Sequence, residues 1–390
     1  MAEAYIAAAL RTAGGKRNGR LRDWHPADLG GRILDALVTD TGIDPAAIED
    51  VIMGCVSQVG QQSFHIGRNC VLASSLPDSV PAVGIDRQCG SSQQSVHFAA
   101  QAVMSGVQDL VIAAGVESMT RVPMLTAMTL PEAQGLGSPW SEAIRQSYGV
   151  TEFSQFTGAE MMAKKYGLKR EALDAFAVAS HRKAHAATES GAFDLEIVPL
   201  VGVAADGTTE LHCRDEGVRS DATIEGVASV KALRPDGTTS AANASQICDG
   251  AAGILIASER ALRDHHLTPL ARIHAMTVTA GDPVIMLDEP IHATRRALAR
   301  AGMTIDQIGQ YEVNEAFACV PLAWLQATGA DPSRLNVNGG SIALGHPLGA
   351  TGAKLMATLV HSMRAGGQRF GLQTMCEAGG IANVTIIEAL

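Results

Sequence analysis

Aromatic side chains make up only 4% of the 390 residues, so a core stacked from Phe, Tyr and Trp is excluded. The interior must be filled by Ala, Val, Ile, Leu and Met, packed closely around 40 glycines. An excess of basic charge is also missing. The formal net charge of −10 argues against a general binder of nucleic acid or of an anionic membrane, while leaving room for a local cationic patch. No apolar run approaches the length of a membrane span. The seven cysteines, at 55, 70, 89, 213, 248, 319 and 376, form no CxxC pair and no Cys/His cluster with zinc spacing, so no metal site is expected. An odd, scattered set fits a reducing compartment. Met1-Ala2-Glu3-Ala4 lacks the basic start of a secretion signal, and Arg11 interrupts the apolar run that follows. These absences predict a cytoplasmic globular chain of two or three domains.

What is present first is a repeat. Gly42-Ile43 followed by Ile48, Val51 and Met53 recurs as Gly302-Met303 followed by Ile308, Tyr311 and Val313, an offset of 260 residues. The same shift carries Gly106 onto Gly366 and Leu110-Val111-Ile112 onto Phe370-Gly371-Leu372 without a gap. Each half therefore repeats helix, strand, helix, strand. Alternation of this kind predicts a mostly parallel sheet with helices on both faces of each unit, and two such units packed in layers. The repeat breaks after Glu117, where the next apolar strand, Gly253 to Ala257, is distant; in the second half Val384-Thr385-Ile386-Ile387 follows Glu377 almost at once. Residues 119–248 are accordingly an insertion, a loop or cap domain that builds a binding pocket. The halves are then 1–118 plus 249–270, and 271–390. Within the insertion, Leu173, Phe176, Ala177 and Ser180 share one face of a helix expected over 171–187.

The chemistry centres on Asp86-Arg87-Gln88-Cys89-Gly90-Ser91-Ser92-Gln93. The apolar run 80–85 precedes it, and Val96, Ala99, Ala100 and Val103 follow at helical spacing. Cys89 thus lies at a helix N-terminus, where unpaired N–H groups and the helix dipole favour thiolate over thiol. The 260 shift lands this turn on Gly349, inside Gly345-His346-Pro347-Leu348-Gly349-Ala350-Thr351-Gly352, so one turn carries Cys89 and its counterpart His346. A thiol needs a base at neutral pH, and an imidazole is the usual one. Asn314-Glu315-Ala316-Phe317 and Thr374-Met375-Cys376-Glu377-Ala378-Gly379-Gly380 each follow a strand, where side chains face the crevice of an α/β unit. Glu315 either orients His346 or a backbone loop, or caps the next helix.

In this order and spacing the set CGSSQQ, NEAF, GHPLGATG and CEAGG resembles the thiolase family, from Arg11-Thr12 nearly to the C-terminus. The resemblance implies an α/β thiolase-like fold of two duplicated units in αβαβα layers, with a loop domain inserted in the first half. It implies an acyl-CoA:acetyl-CoA C-acyltransferase that works through an acyl group on Cys89. His346 would take the thiol proton, Cys376 would exchange the α-proton, and Asn314 would hold a water. The backbone N–H groups of Cys89 and Ala378 would form an oxyanion hole. Many family members carry glycine where Glu377-Ala378 stands, so the backbone here is expected to avoid positive φ at both residues. Coenzyme A would be a substrate rather than a cofactor, met by Arg219 and Ser245, with His181, Arg182 and Lys183 as further cations nearby. Gln155 and Phe317 would border the acyl group. Ser154-Gln155 occupies the place where short-chain biosynthetic members carry His-Met, with Phe153 and Phe156 as flanks, which points to longer or bulkier acyl chains. The resemblance also implies a homodimer or homotetramer.

Four other readings stand beside this one. Formation of acetoacetyl-CoA from two acetyl-CoA would use the same residues in reverse. A decarboxylating condensing enzyme, such as a ketoacyl synthase, would not need Cys376. A non-catalytic acyl-CoA-binding protein would not need the whole set. A papain-like protease would leave the repeat and the second cysteine without a role.

Overall fold

The apolar runs and 3.6-residue patterns fold where the repeat places them. In the computed structural model, which describes residues 2–390, the principal strands are β1 (Tyr5–Thr12), β2 (Asp50–Gly54), β3 (Ala82–Ile85), β4 (Leu110–Ser118), β5 (Cys248–Ala257), β6 (Ala271–Ala280), β7 (Gln310–Val313), β8 (Phe370–Glu377) and β9 (Ile381–Ala389). The principal helices are α1 (Pro26–Thr41), α2 (Ser91–Ser105), α3 (Gln155–Lys165), α4 (Arg170–Glu189), α5 (Glu289–Ala301), α6 (Cys319–Thr328) and α7 (Thr351–Ala365). The duplication is visible in the bounds: a shift of 260 carries α2 onto α7 at both ends. Both α1 and α5 stop on a left-handed glycine, Gly42 at φ 66° and Gly302 at φ 65°.

The strands neighbour one another in the order β7-β8-β9-β6-β1-β5-β4-β2-β3. Among these nine strands the expected parallel pairing is confined to the two ends, where β2 pairs β3 and β4, and β7 pairs β8. Between them the sheet is antiparallel. The reason is the return path. β9 follows β8 through the short turn at 378–380, and a tight connection can only join antiparallel strands. β5 holds the matching place in the first half, and β1 meets β6 at Tyr5–Arg272 and Ile6–Ala271 to join the halves.

Helices α2 and α7 form the middle layer. Val96, Ala99 and Val103 of α2 share one buried cluster with Ala353, Met356 and Val360 of α7 and with Ile52, Val111, Ile254 and Ile273 from strands of both halves. Ile33, Leu34 and Leu37 of α1 cover the outer face of the first half, and Trp324 of α6 lies in the cluster that covers the second. The two central helices approach closely in their first turns, where the Ala353 N–H donates to Ser92 at 2.9 Å. A Cβ on Gly352 would strike the backbone nitrogen of Gln93, so glycine is required for that approach.

The chain leaves the sheet after Ser118 and returns at Cys248. On this excursion α3 and α4 pack Ala159, Met162, Leu173 and Ala177 against Ile291, Phe317 and Val320 of the second half. A segment that departs from one unit therefore roofs the other. It is also tied back: residues Ile197–Val198 pair in parallel with Arg11 and Thr12 of β1. Buried Arg11 binds Glu196 at 2.6 Å and Asp215 at 3.0 Å, and Lys354 of α7 reaches Asp215 at 3.3 Å. Removing one partner from an ion cluster this deeply buried costs about 3–5 kcal/mol.

Candidate active site

The turn that carries Cys89 is built by its neighbours. Asp86 accepts from the Gln88 backbone N–H at 2.6 Å, and Ser91 accepts from the Arg87 N–H at 2.9 Å while donating to the Gln88 carbonyl at 2.6 Å. Between these clamps Gln88 adopts φ 49°, a left-handed conformation unusual for a residue with a side chain. Cys89 follows it, half-buried, with Gly90 as the N-cap of α2. The helix terminus was expected to favour thiolate, and the surroundings reverse that. Burial, then the nearby Cys376 and Glu377, push the Cys89 thiol well above its ordinary range. The sulfur rests protonated and needs a base.

His346 is suited to accept the proton. It lies on the loop before α7 and is 4% exposed, and its backbone N–H donates to the Gln246 carbonyl at 3.0 Å. Its Nδ1 is 2.6 Å from the Thr351 hydroxyl, whereas its buried Nε2 has no hydrogen-bond partner among the described residues. Burial, followed by the charge of Lys354, holds the imidazole down at about 3, so it is neutral at ordinary pH. Asn314 stands immediately beyond β7. Its Oδ1 accepts from Ser341 at 2.6 Å, and its fully buried Nδ2 is a donor without a partner among the described residues. Glu315 resolves to one of its two readings. It accepts from Ser180, Asn336 and the Ile342 N–H at 2.7, 2.8 and 3.1 Å, so it holds the start of the short helix Ser341–Leu344 that leads to His346 and does not cap α6, the helix that follows it in sequence.

Cys376 is buried near the end of β8, opposite Ala382 of β9, with its thiol also raised by burial first and by Cys319 and Glu377 after it. The residues that follow behave as the missing glycines require: positive φ falls on Gly379 and Gly380, and Ala378 is spared. Thr351 and Glu377 are the two side chains of this centre that the sequence alone did not single out. Thr351 is the last polar residue of GHPLGAT and could have been found by asking what fixes the imidazole.

The chain matches the model of the thiolase N-terminal domain over residues 4–260 and that of the thiolase C-terminal domain over 267–389. It belongs to the thiolase family. It is 49% identical to the steroid 3-ketoacyl-CoA thiolase FadA6 of Mycobacterium tuberculosis, covering 100% of this chain and 95% of that protein. With the 3-ketoacyl-CoA thiolase of Aliivibrio fischeri it shares 38% identity over the full length of both. The crystal structure of the Bacillus anthracis acetyl-CoA acetyltransferase superimposes with a TM-score of 0.91 at 32% identity, covering 100% of this chain and 99% of that one. The thiolase fold and the acyltransferase activity that the resemblance implied are therefore those of the protein.

The residues expected to meet the substrate are each placed separately by the structure. Arg219 is exposed, forms no ion pair among the described residues, and donates its backbone N–H to His181 Nδ1 at 3.2 Å. His181 is buried, and Lys183 donates to the Leu335 carbonyl at 2.7 Å, so both are occupied in structure. Ser245 is half-buried and joined to the catalytic strand end through its N–H on the Ala316 carbonyl at 3.0 Å. Phe317 is buried and meets Phe156 edge-on at 5.9 Å. Phe153 turns instead to Trp140 and Tyr148. Gln155, the first residue of α3, donates to Met124 Sδ at 3.7 Å. Among the described residues no group of three or more His, Cys, Asp or Glu is arranged to hold a metal, and no helix is long and apolar enough to cross a membrane.

Proposed function

We propose that this thiolase works in the degradative direction, on 3-ketoacyl-CoA whose acyl group is longer or bulkier than that of acetoacetyl-CoA. The observation that carries the mechanism is the pair of buried, unpartnered atoms His346 Nε2 and Asn314 Nδ2 in a centre that also holds two cysteines able to feel each other's charge. Cys89 gives its proton to His346 Nε2 and attacks the β-keto carbon. The oxygen of the tetrahedral intermediate is met by the backbone N–H groups of Cys89 and Ala378. When the carbon–carbon bond breaks, the acetyl-CoA enolate is held by protonated His346 and by a water on Asn314, and it takes its proton from Cys376. The thiol of coenzyme A, a substrate here, then gives its proton to the Cys376 thiolate and takes the shortened acyl group, while the departing Cys89 sulfur recovers its proton from His346. Exposed Arg219 meets a CoA phosphate and Ser245 the pantetheine arm.

The same residues run the reaction in reverse, so direction and chain length rest on the pocket and on kinship. The steroid thiolase is 49% identical and the acetyltransferase 32%. Gln155 and Met124 give one wall flexible, unbranched side chains that can make room. Acetoacetyl-CoA formation is the second reading, favoured by the likeness to the acetyltransferase structure. Specificity constants on a graded series of 3-ketoacyl-CoA decide between them. Each buried methylene contributes about 0.8 kcal/mol, so kcat/KM should climb roughly fourfold per carbon at the start of the series. A maximum at acetoacetyl-CoA, falling with each carbon, overturns the proposal.

We further read the protein as a cytoplasmic homodimer or homotetramer. β3 has one open edge, Val83 on it is 41% exposed, and nearby Phe64 is 92% exposed. Sedimentation at micromolar concentration as a monomer would remove the oligomer from this reading.

A further inference from the structure

The internal duplication supplies a control for one residue of the centre. Under the 260 shift Glu117 at the end of β4 matches Glu377 at the end of β8, and Gly349 matches Cys89. The two carboxylates are equally buried, with 0% exposure, but they are used differently. Glu117 accepts five hydrogen bonds, from the N–H groups of Val56, Ser57 and Gly349 at 2.8, 3.0 and 2.9 Å, from Gln62 Nε2 at 3.0 Å and from Cys55 Sγ at 4.0 Å. It is a structural clamp. Glu377 accepts one, from the Asn383 N–H at 3.1 Å, and its Oε2 has no partner among the described residues. Its carboxyl lies against Gly90, the residue after the nucleophile, so closely that a Cβ there would collide with it.

An ionised carboxylate with one hydrogen bond and no ion-paired partner is costly at such depth, and a neutral carboxylic acid is not. We propose that Glu377 is a positioning residue of the thiolase reaction that works in its protonated form: as a neutral acid it allows Cys89 to ionise, and as a carboxylate it holds Cys89 and Cys376 as thiols. The inference rests on the reading of Cys89 as the acylated nucleophile.

The groups packed around Glu377 agree with this. The turn before α2 brings Arg87 and Cys89, its own strand brings Cys376, and β9 brings only the uncharged Asn383. Behind Asn383, α2 contributes Gln94 and His97, and burial holds His97 neutral, down at about 3. Among the described residues Arg87 is the one cation that acts on Glu377. It opposes the burial without cancelling it, and the carboxyl is pushed up to about 8. The charge of Glu377 falls on both cysteines, whereas the chief charge acting on His346 is that of Lys354. Its ionisation therefore disfavours the thiolate without an equal gain at the base.

The test is the pH dependence of Cys89 alkylation by iodoacetamide, read by peptide mass spectrometry, in the wild type and in Glu377→Gln. An isolated thiol below its pKa reacts about tenfold faster per pH unit. The wild type should rise to about pH 8 and then flatten, while E377Q continues to rise, so that their ratio grows about fivefold between pH 8 and pH 9. Parallel profiles overturn the proposal. Should E377Q not fold, the wild-type profile decides by itself, because an unbroken tenfold rise through pH 9 refutes it. The same mass spectrometry after mixing with acyl-CoA separates the two readings. Cys89 acylated but with an unbroken alkylation profile sinks only the role of Glu377, and no acyl mass on Cys89 sinks the nucleophile itself.

Discussion

Replacing Thr351 by valine should disable the base without touching either cysteine. Thr351 and His346 are both buried, and the contact between Oγ1 and Nδ1 is 2.6 Å. For Nε2 to take the thiol proton, the ring hydrogen must sit on Nδ1, and the Thr351 hydroxyl is what accepts it there. Valine keeps the shape and removes the acceptor. A buried N–H left unpaired costs about 1–3 kcal/mol, and without the Thr351 hydroxyl that cost falls on the Nδ1–H tautomer that a bare Nε2 requires. The bare-Nε2 tautomer then becomes scarce. If about 1–2 kcal/mol of the penalty falls on that equilibrium, acylation of Cys89 slows roughly five- to thirtyfold. Single-turnover acylation by rapid quench measures the rate, and KM should change little because no substrate contact is lost. Thr351→Ser, which keeps the hydroxyl, should restore most of the rate. An unchanged rate in T351V, or an equal loss in T351S, would show that Thr351 does not set the tautomer.

Two further outcomes follow from the same centre. Cys376→Ser should impair carbon–carbon cleavage far more than exchange of the acyl group between coenzyme A and Cys89, because only cleavage needs a proton at the α-carbon; equal losses in the two assays would remove Cys376 from that role. His97 hydrogen-bonds Thr385 at 2.8 Å, and burial keeps its folded pKa at about 3 against 6.5 when free. The unfolded chain therefore binds the extra proton between those values, so the stability contribution is whole above about pH 6.5 and is lost as pH falls towards 3. At pH 5 the loss is about 2 kcal/mol, and urea denaturation of His97→Gln should fall less than that of the wild type between pH 7 and pH 5. Equal declines would mean that His97 is not held neutral.

The sequence by itself determined what is local or periodic. The 260-residue repeat set two equivalent units and carried α2 onto α7, and helical spacing placed α2 and α4; the helix expected over 171–187 runs Arg170–Glu189. Four short motifs in order named the family and the candidate residues Cys89, Asn314, His346 and Cys376, because each motif couples a turn to the side chain it presents. Tertiary structure decided what depends on partners far apart in the chain. Arg11 is 185 residues from Glu196 and 204 from Asp215, and no local pattern announces that cluster. The antiparallel middle of the sheet depended on where β5 and β9 return, which hydrophobic periodicity does not encode. The resting thiol of Cys89 depended on burial and on Cys376 and Glu377 outweighing a helix terminus. Glu117 and Glu377 occupy the same place in the repeat, and only their different numbers of donors separate a clamp from a titratable acid. Position in a repeat is a property of sequence, whereas the free energy of a buried charge is set by every group packed around it.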